Sequence, residues 1–381
     1  MPGFEIIGKE EQKAVNQVFE EGGVLFAHGF EAIRKKFHVR EFEKDCENYF
    51  NSKFCMAVSS GTAGIKCALK AVGVKPGDEV ITQAFNFVGT VEAILDCGAT
   101  PIICGVCNNL HLNLDHLKER ITAKTKAIII VHMLGMGGPI EELLNLCKTN
   151  KIAVLEDNCE AIGAKYKNDF LGTIGDIGIM SFDHGKMIAC GEGGLVMTNK
   201  EKYAKYIKQY TDHGHENNKN VPRGRDRRIM PGFNYRMTEL QAAVGKVQLT
   251  KLDFMIQENK KRYLILFNEL KNLMPIRSNL TNHIGSYDTF IISEENIEIQ
   301  KLIIKALQNF KFGTKNLPDA MEWHCSYFWS HAFPAIEIKN SFDTYLVLKK
   351  QIAIPILLKK TVEDYKLLSK AIAKIKNKNL G

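Results

Sequence analysis

The sequence predicts an α/β protein, with a large domain around a mostly parallel sheet over residues 1–250 and a smaller α+β domain over 251–381. Three observations predict it. Short apolar runs alternate with helix-like segments from about Phe54 to Asn199. The runs are apolar throughout, as strands are when helices cover both faces of a sheet. A length of 381 residues also exceeds what one small core needs.

The strand candidates are Cys55–Val58, Glu79–Gln83, Pro101–Cys104, Ala127–Val131, Ala153–Glu156, Ile177–Phe182 and Leu195–Thr198. Helical patterns lie between them at Ala63–Val72, Val88–Leu95, Asp115–Arg120 and Ile140–Lys148. From Asn234, the spacing of Met237, Leu240, Ala243, Val244 and Val247 predicts a long helix bridging to the second domain. The lysine-rich tail Lys374–Asn379 reads as the one low-complexity stretch. In such a sheet a ligand sits beyond the carboxyl ends of the strands, so the residues just past each strand carry the functional signal.

Composition narrows the class. With 45% hydrophobic and 25% charged residues, the chain reads as a soluble globular protein. No apolar leader precedes Gly8. The longest apolar stretch, Ala127–Ile140, is interrupted by His132, Gly135, Gly137, Gly138 and Pro139 and falls short of the roughly 20 residues a span requires. The expectation is a cytoplasmic protein with no membrane partner. Ten scattered cysteines read as reduced thiols, and Cys104-Gly-Val-Cys107 lacks the second pair that a zinc site wants, so no metal is expected. The net charge of +8 fits a solvated lysine-rich surface, and no aromatic-basic motif points to nucleic acid.

Three strand ends stand out. Ser59-Ser60-Gly61-Thr62-Ala63 follows the first strand and opens a helix. Its free amides, hydroxyls and helix dipole suit a phosphate, and they equally suit an ordinary helix cap. Glu156-Asp157 ends the apolar run Ile152–Leu155. A buried acid there needs a partner, either a protonated pyridine nitrogen or the start of the next helix. Lys186 follows Ser181-Phe-Asp-His-Gly and precedes Gly191-Glu-Gly-Gly194. Burial or neighbouring cations would lower its pKa and make it a nucleophile for an aldehyde; otherwise it is a surface lysine. Taken in order, a phosphate turn, the aromatic pair Phe85 and Phe87 after the second strand, a carboxylate and a lysine would surround one flat, phosphorylated, aldehyde-bearing cofactor.

Over nearly its whole length the sequence resembles the DegT/DnrJ/EryC1/StrS family of sugar aminotransferases, which use pyridoxal phosphate (PLP) and have the fold of aspartate aminotransferase (PLP fold type I). The segments that carry the resemblance are Ser59–Ala63, Pro76-Gly-Asp-Glu-Val80, Phe85-Asn-Phe-Val88, Gly98-Ala-Thr-Pro101, Thr125-Lys-Ala127 and Glu156-Asp157. Further matches are Gly172-Thr-Ile-Gly-Asp176, Ser181-Phe182, Lys186, Gly191–Gly194 and Gly232-Phe-Asn-Tyr-Arg-Met-Thr-Glu-Leu-Gln-Ala-Ala243. Met1–Glu5, Ser181–Asp183, Cys190–Gly194 and Asp212-His-Gly-His215 are similar to the branch that makes 8-amino-3,8-dideoxy-octulosonate, an eight-carbon sugar acid of lipopolysaccharide. Other branches aminate nucleotide-linked keto hexoses.

The resemblance implies that Lys186 holds the cofactor as a Schiff base and passes protons during turnover. It implies that Asp157 pairs with the pyridine nitrogen and that Phe87 stacks on the ring. Ser60, Gly61, Thr62 and Ser181 would surround the phosphate, and Asn234 would reach the phosphate of the neighbouring subunit in a homodimer with shared active sites. L-glutamate would donate the amino group and a keto sugar would accept it, for lipopolysaccharide or surface polysaccharide. The basic loop with His215, Arg225 and Arg228, together with Arg236, borders the pocket as candidate substrate contacts. Trp323 and His324 fall where relatives touch the sugar, while Trp329 reads as core.

Two positions depart from the family pattern. Glu160 stands where Gln or His usually contacts the cofactor oxygen, so it is expected to be protonated or turned towards substrate. The Cys104–Cys107 stretch replaces common acidic residues and reads as packing. Two rival functions are a PLP sugar dehydratase, in which histidine replaces the lysine, and a non-catalytic regulator, in which Lys186 or Asp157 is lost. Both residues are present here.

Overall fold

The computed structural model describes residues 3–218, 220–332 and 335–379. Its central feature is a seven-stranded sheet. The first five strands in chain order are β1 (Phe54–Val58), β2 (Glu79–Gln83), β3 (Thr100–Cys104), β4 (Thr125–Val131) and β5 (Ala153–Asp157). They are completed by Ile177–Ser181 and Gly194–Thr198. Across the sheet the order is β1, Gly194–Thr198, Ile177–Ser181, β5, β4, β2, β3. All neighbours from Ile177–Ser181 to β3 run parallel, whereas Gly194–Thr198 is antiparallel to both of its neighbours. Each expected strand is present, shifted by no more than two residues at an end.

β4 explains why the strands are so apolar. Ile129 and Val131 join the cluster around Val58, Ile65, Leu69 and Leu155, while Ile128 and Ile130 join Ile140, Leu143 and Val154 on the opposite face. The period-two alternation therefore feeds two helical layers, and each fully buried Ile or Leu contributes about 1.5–3 kcal/mol. Helix α1 (Lys9–Glu20) packs against α8 (Glu239–Thr250), and so does α2 (His38–Phe50). Helix α3 (Gly61–Ala71) lies on Ile177–Ser181 and α4 (Val88–Asp96), and α5 (Leu114–Arg120), α6 (Ile140–Asn150) and α7 (Glu201–Tyr210) follow along the chain. Gly172, at φ 90°, lets the strand through Gly178 pass directly over its carbonyl, where a Cβ on Gly178 would collide.

The helix expected from Asn234 starts later. Thr238 caps α8 and forms a reciprocal box with Gln241, and Asp212–Asn234 and Val58–Arg236 are antiparallel bridges, so 234–236 is extended. Helix α9 (Leu252–Leu270) follows and covers a two-stranded antiparallel sheet, Thr289–Ser293 with Gln351–Pro355. The helices α10 (Ile297–Asn309) and Val362–Lys378 close a separate core of Leu266, Phe290, Ile303, Ile354, Tyr365 and Leu368. The lysine-rich tail is thus the last turns of a helix. Met1 and Pro2, part of the octulosonate-branch likeness, lie outside the described residues. Among the described residues no helix is long and apolar enough to cross a membrane.

Candidate active site

The site lies at the carboxyl edge of the parallel strands, where β1, β2, β5 and Ile177–Ser181 end. Ser60 is extended and caps α3, its hydroxyl accepting from Ala63 N at 3.1 Å. Gly61 sits so close to the strand ends that a Cβ would stand 2.9 Å from Ser181 Cβ and 3.0 Å from Cys159 Sγ. A Cβ on Gly89 would come within 2.9 Å of Thr62 Oγ1 and 3.0 Å of the Phe87 ring. Ser60–Thr62, Ser181 and Phe87 therefore share one small region, with the positive end of the α3 dipole facing it.

Asp157, 4% exposed, ends β5. Its Oδ1 accepts from Cys159 N and its Oδ2 from Thr90 Oγ1, both at 3.1 Å. Phe87 remains 43% exposed although the residues around it are buried, so one ring face is open. Trp323 lies nearly parallel to it, with centroids 6.3 Å apart, and the His324 ring is at 5.7 Å. The segment carrying these rings is fastened to the end of β2 by Asn86 N to His324 O at 3.0 Å and Ser326 N to Ala84 O at 2.9 Å.

Lys186 rides on the loop between the two antiparallel strands, a loop closed by Phe182 N to Gly193 O and His184 N to Gly191 O. Its amine lies 3.5 Å from Glu160 Oε1. Two expectations change here. Burial alone would pull Lys186 down, but Glu160, with further help from Cys159, Asp157 and Asp183, outweighs it, so the amine is held above the ordinary lysine range. The protonated form expected of Glu160 is disfavoured as well. Burial pushes it up, yet Lys186, Lys315, His324 and the Asn316 amide together hold it far below the usual carboxylate range. It faces Lys186 and Asn316, whose Nδ2 donates to Oε1 at 3.2 Å and Oε2 at 3.0 Å.

The other candidates make contacts of their own, and 234–236 runs beside the end of β1, where Ser59 N donates to Tyr235 O at 2.8 Å. Asn234, Arg225 and Arg228 are exposed on this chain. His215 pairs with Asp226 at 3.2 Å. Arg236 is taken up by the buried Asp212 at 2.7 Å, a carboxylate it shares with Arg223. Trp329 is buried at 2%. Cys104 is buried too, whereas Cys107 is exposed, so only the first cysteine of that pair serves packing. Sequence reasoning missed Thr90, although it stands one helical turn after Asn86 and shares that residue's Oδ1 with Phe87 N. It also missed the Asn316 contact, which no local pattern announces because 156 residues separate the partners.

An amine on a hairpin loop, a buried acid at a strand end, an exposed aromatic ring and a capped helix start come together on an α/β scaffold. The sequence matches the DegT/DnrJ/EryC1/StrS aminotransferase family over residues 5–364, and the chain belongs to that family. It is 31% identical over 294 residues to the GDP-perosamine synthase of Vibrio cholerae, covering 76% of this chain and 77% of the relative. It is 34% identical over 279 residues to the spore coat polysaccharide biosynthesis protein SpsC of Bacillus subtilis, covering 71% and 69%. Its fold superposes on the PLP form of Spr1654 from Streptococcus pneumoniae with a TM-score of 0.83, at 21% identity, covering 98% of this chain and 97% of that one.

Proposed function

We propose that this chain is a cytoplasmic PLP-dependent aminotransferase that moves an amino group from L-glutamate to a keto sugar for bacterial lipopolysaccharide or surface polysaccharide. The observation that carries the reading is the Lys186 amine 3.5 Å from Glu160 and within electrostatic reach of Asp157 at the end of β5. The donor set fits the cofactor: an amine for its aldehyde, a buried acid for its ring nitrogen, an open ring face, and amides with hydroxyls for its phosphate. The family membership, the perosamine synthase relative and the PLP form of a structural neighbour support the same reading.

When bound, PLP supplies an aldehyde that captures the donor's amino group and a ring that withdraws electrons from the donor carbon. Asp157 would face the ring nitrogen and favour its protonated form, and Phe87 would lie against the ring. Ser60, Gly61, Thr62 and Ser181 would bind the phosphate. Lys186 Nζ would hold the group through its aldehyde and would carry the proton taken from the donor's Cα. Residues 1–250 carry these groups, while 251–381 form the smaller domain that brings Asn316 and His324 to them. Asn234, exposed beside the exposed Phe233, reaches the phosphate of a second copy in a homodimer.

The sugar is either nucleotide-linked or an eight-carbon keto-deoxy acid. A panel of both kinds with glutamate, followed by 2-oxoglutarate release, decides between them. Stoichiometric 2-oxoglutarate supports transamination. Ammonia with a deoxy product would mark the dehydratase instead, a reading the site does not favour, because His184 is exposed with its ring against Phe4, centroids 4.6 Å apart. No turnover of any kind would favour the regulator.

A further inference from the structure

Glu160 is the unusual member of this site. It is a nearly fully buried carboxyl group 3.5 Å from the amine on which the proposed chemistry depends. It does not reach that position alone. Asn316, from a segment 156 residues away, donates to both carboxylate oxygens, and Leu134 N approaches Oε2 at 3.4 Å. Its own backbone carbonyl accepts from Gly135 N at 2.8 Å, which fixes the turn it stands on. On the far side the buried Lys315 is already spent on Asp288, at 2.5 Å. His324 Nε2 stands 3.9 Å from Oε1, and burial lowers that imidazole's pKa, which makes it a weaker partner for the carboxylate than Lys186. Lys186 is therefore the main cation left to answer the Glu160 charge. Around Lys186 itself Glu160 acts first, and Cys159, Asp157 and Asp183 favour the charged amine as well.

We infer that Glu160, clamped by Asn316, is a positioning residue that holds the free Lys186 amine of the cofactor-free protein as an ammonium ion beside it. Only the neutral amine attacks an aldehyde carbon, so this ion pair makes capture of a carbonyl compound dependent on pH and on where Asn316 holds the carboxylate. The clamp also ties the charge on Lys186 to the C-terminal part of the chain, which supplies Asn316. The inference rests on the reading of Lys186 as the reactive amine.

The test measures Lys186 without the cofactor. The apo protein is exposed to a limiting dose of acetic anhydride across a pH series, and labelling of the Lys186 peptide is quantified by mass spectrometry. In Glu160→Gln the labelling midpoint should fall by at least about one pH unit, since an opposite charge at this range shifts a pKa by 1–3 units. Glu160→Asp should recover part of that fall. Asn316→Ala should fall in the same direction but less, because the carboxylate keeps its charge and loses its fixed place. Thermal melts confirm that each variant is folded, and the Asn316 variant keeps the test open if Glu160→Gln is not. Midpoints equal to that of the parent in Glu160→Gln and Asn316→Ala would overturn the inference. A shifted midpoint in a protein that never forms an adduct with PLP would uphold the ion pair and sink the proposed function.

Discussion

His132 Nε2 lies 3.1 Å from Glu156 Oε2, and both side chains are wholly buried beneath the site. The imidazole's other nitrogen accepts from Gly138 N at 3.1 Å, and the carboxylate accepts from Gly172, Ile174 and Gly175 amides at 2.6–2.8 Å. One acid thus ties β4, β5 and the 172–175 loop together, one residue before Asp157.

This arrangement predicts an acid-sensitive fold. Burial raises Glu156, but His132 and the amides more than offset it, so its folded pKa is depressed. A depressed carboxylate stabilises the fold above its unfolded value of about 4.5 and loses that stabilisation as pH falls through the folded value. Glu156→Gln should cost about 1–3 kcal/mol near neutrality, because one amide oxygen cannot serve three N–H groups. It should also flatten the acid limb of a thermal-melt series. A variant melting with the parent at every pH would contradict this role.

Gly61→Ala should weaken cofactor binding without unfolding the chain. The new methyl would press on Ser181 Cβ and Cys159 Sγ at about 3 Å, displacing a hydroxyl assigned to the phosphate. A change of at least about 1.4 kcal/mol, or tenfold in Kd for PLP, is expected from equilibrium titration. Unchanged affinity would remove Ser181 from the phosphate site.

Asp157→Asn should slow both half-reactions by about 100-fold or more, since an amide cannot hold the ring nitrogen's proton by charge. Thr90→Ala removes only a hydroxyl 3.1 Å from Asp157, so its loss should be much smaller. Equal losses in stopped-flow half-reactions would mean that Asp157 acts through packing rather than charge.

Glu43 supplies a second pH signature, of opposite sign. Burial lifts its pKa to about 7, although Ala57 N donates to it at 2.9 Å. The folded state therefore binds its proton more tightly than the unfolded chain, and a penalty builds as pH rises from about 4.5 to 7. Glu43→Gln should raise the melting temperature more at pH 8 than at pH 5. A uniform change would show that the carboxyl titrates normally.

Much of the fold was legible because β4 and its neighbours carry an apolar signal on both faces, and glycines with Ser60 mark where strands give way to helices. The start of α8 was misplaced because Met237 and Leu240 share a helical spacing with α8, whereas backbone bridges to Val58 and Asp212 pull 234–236 into extended form. Around Lys186 the residue types were readable but the charges were not. Burial of a lysine lowers its pKa only when no anion accompanies it, and Glu160 is fixed there by a distant Asn316. The fate of Arg236 was hidden likewise, since Asp212 becomes its partner only once the loop folds back.

The most direct measurement is borohydride reduction of the protein after incubation with PLP, followed by peptide mapping. The account predicts one reduced pyridoxyl adduct, on Lys186, absent from Lys186→Ala together with all transfer from glutamate. An adduct on another lysine, or full turnover by that variant, would contradict it.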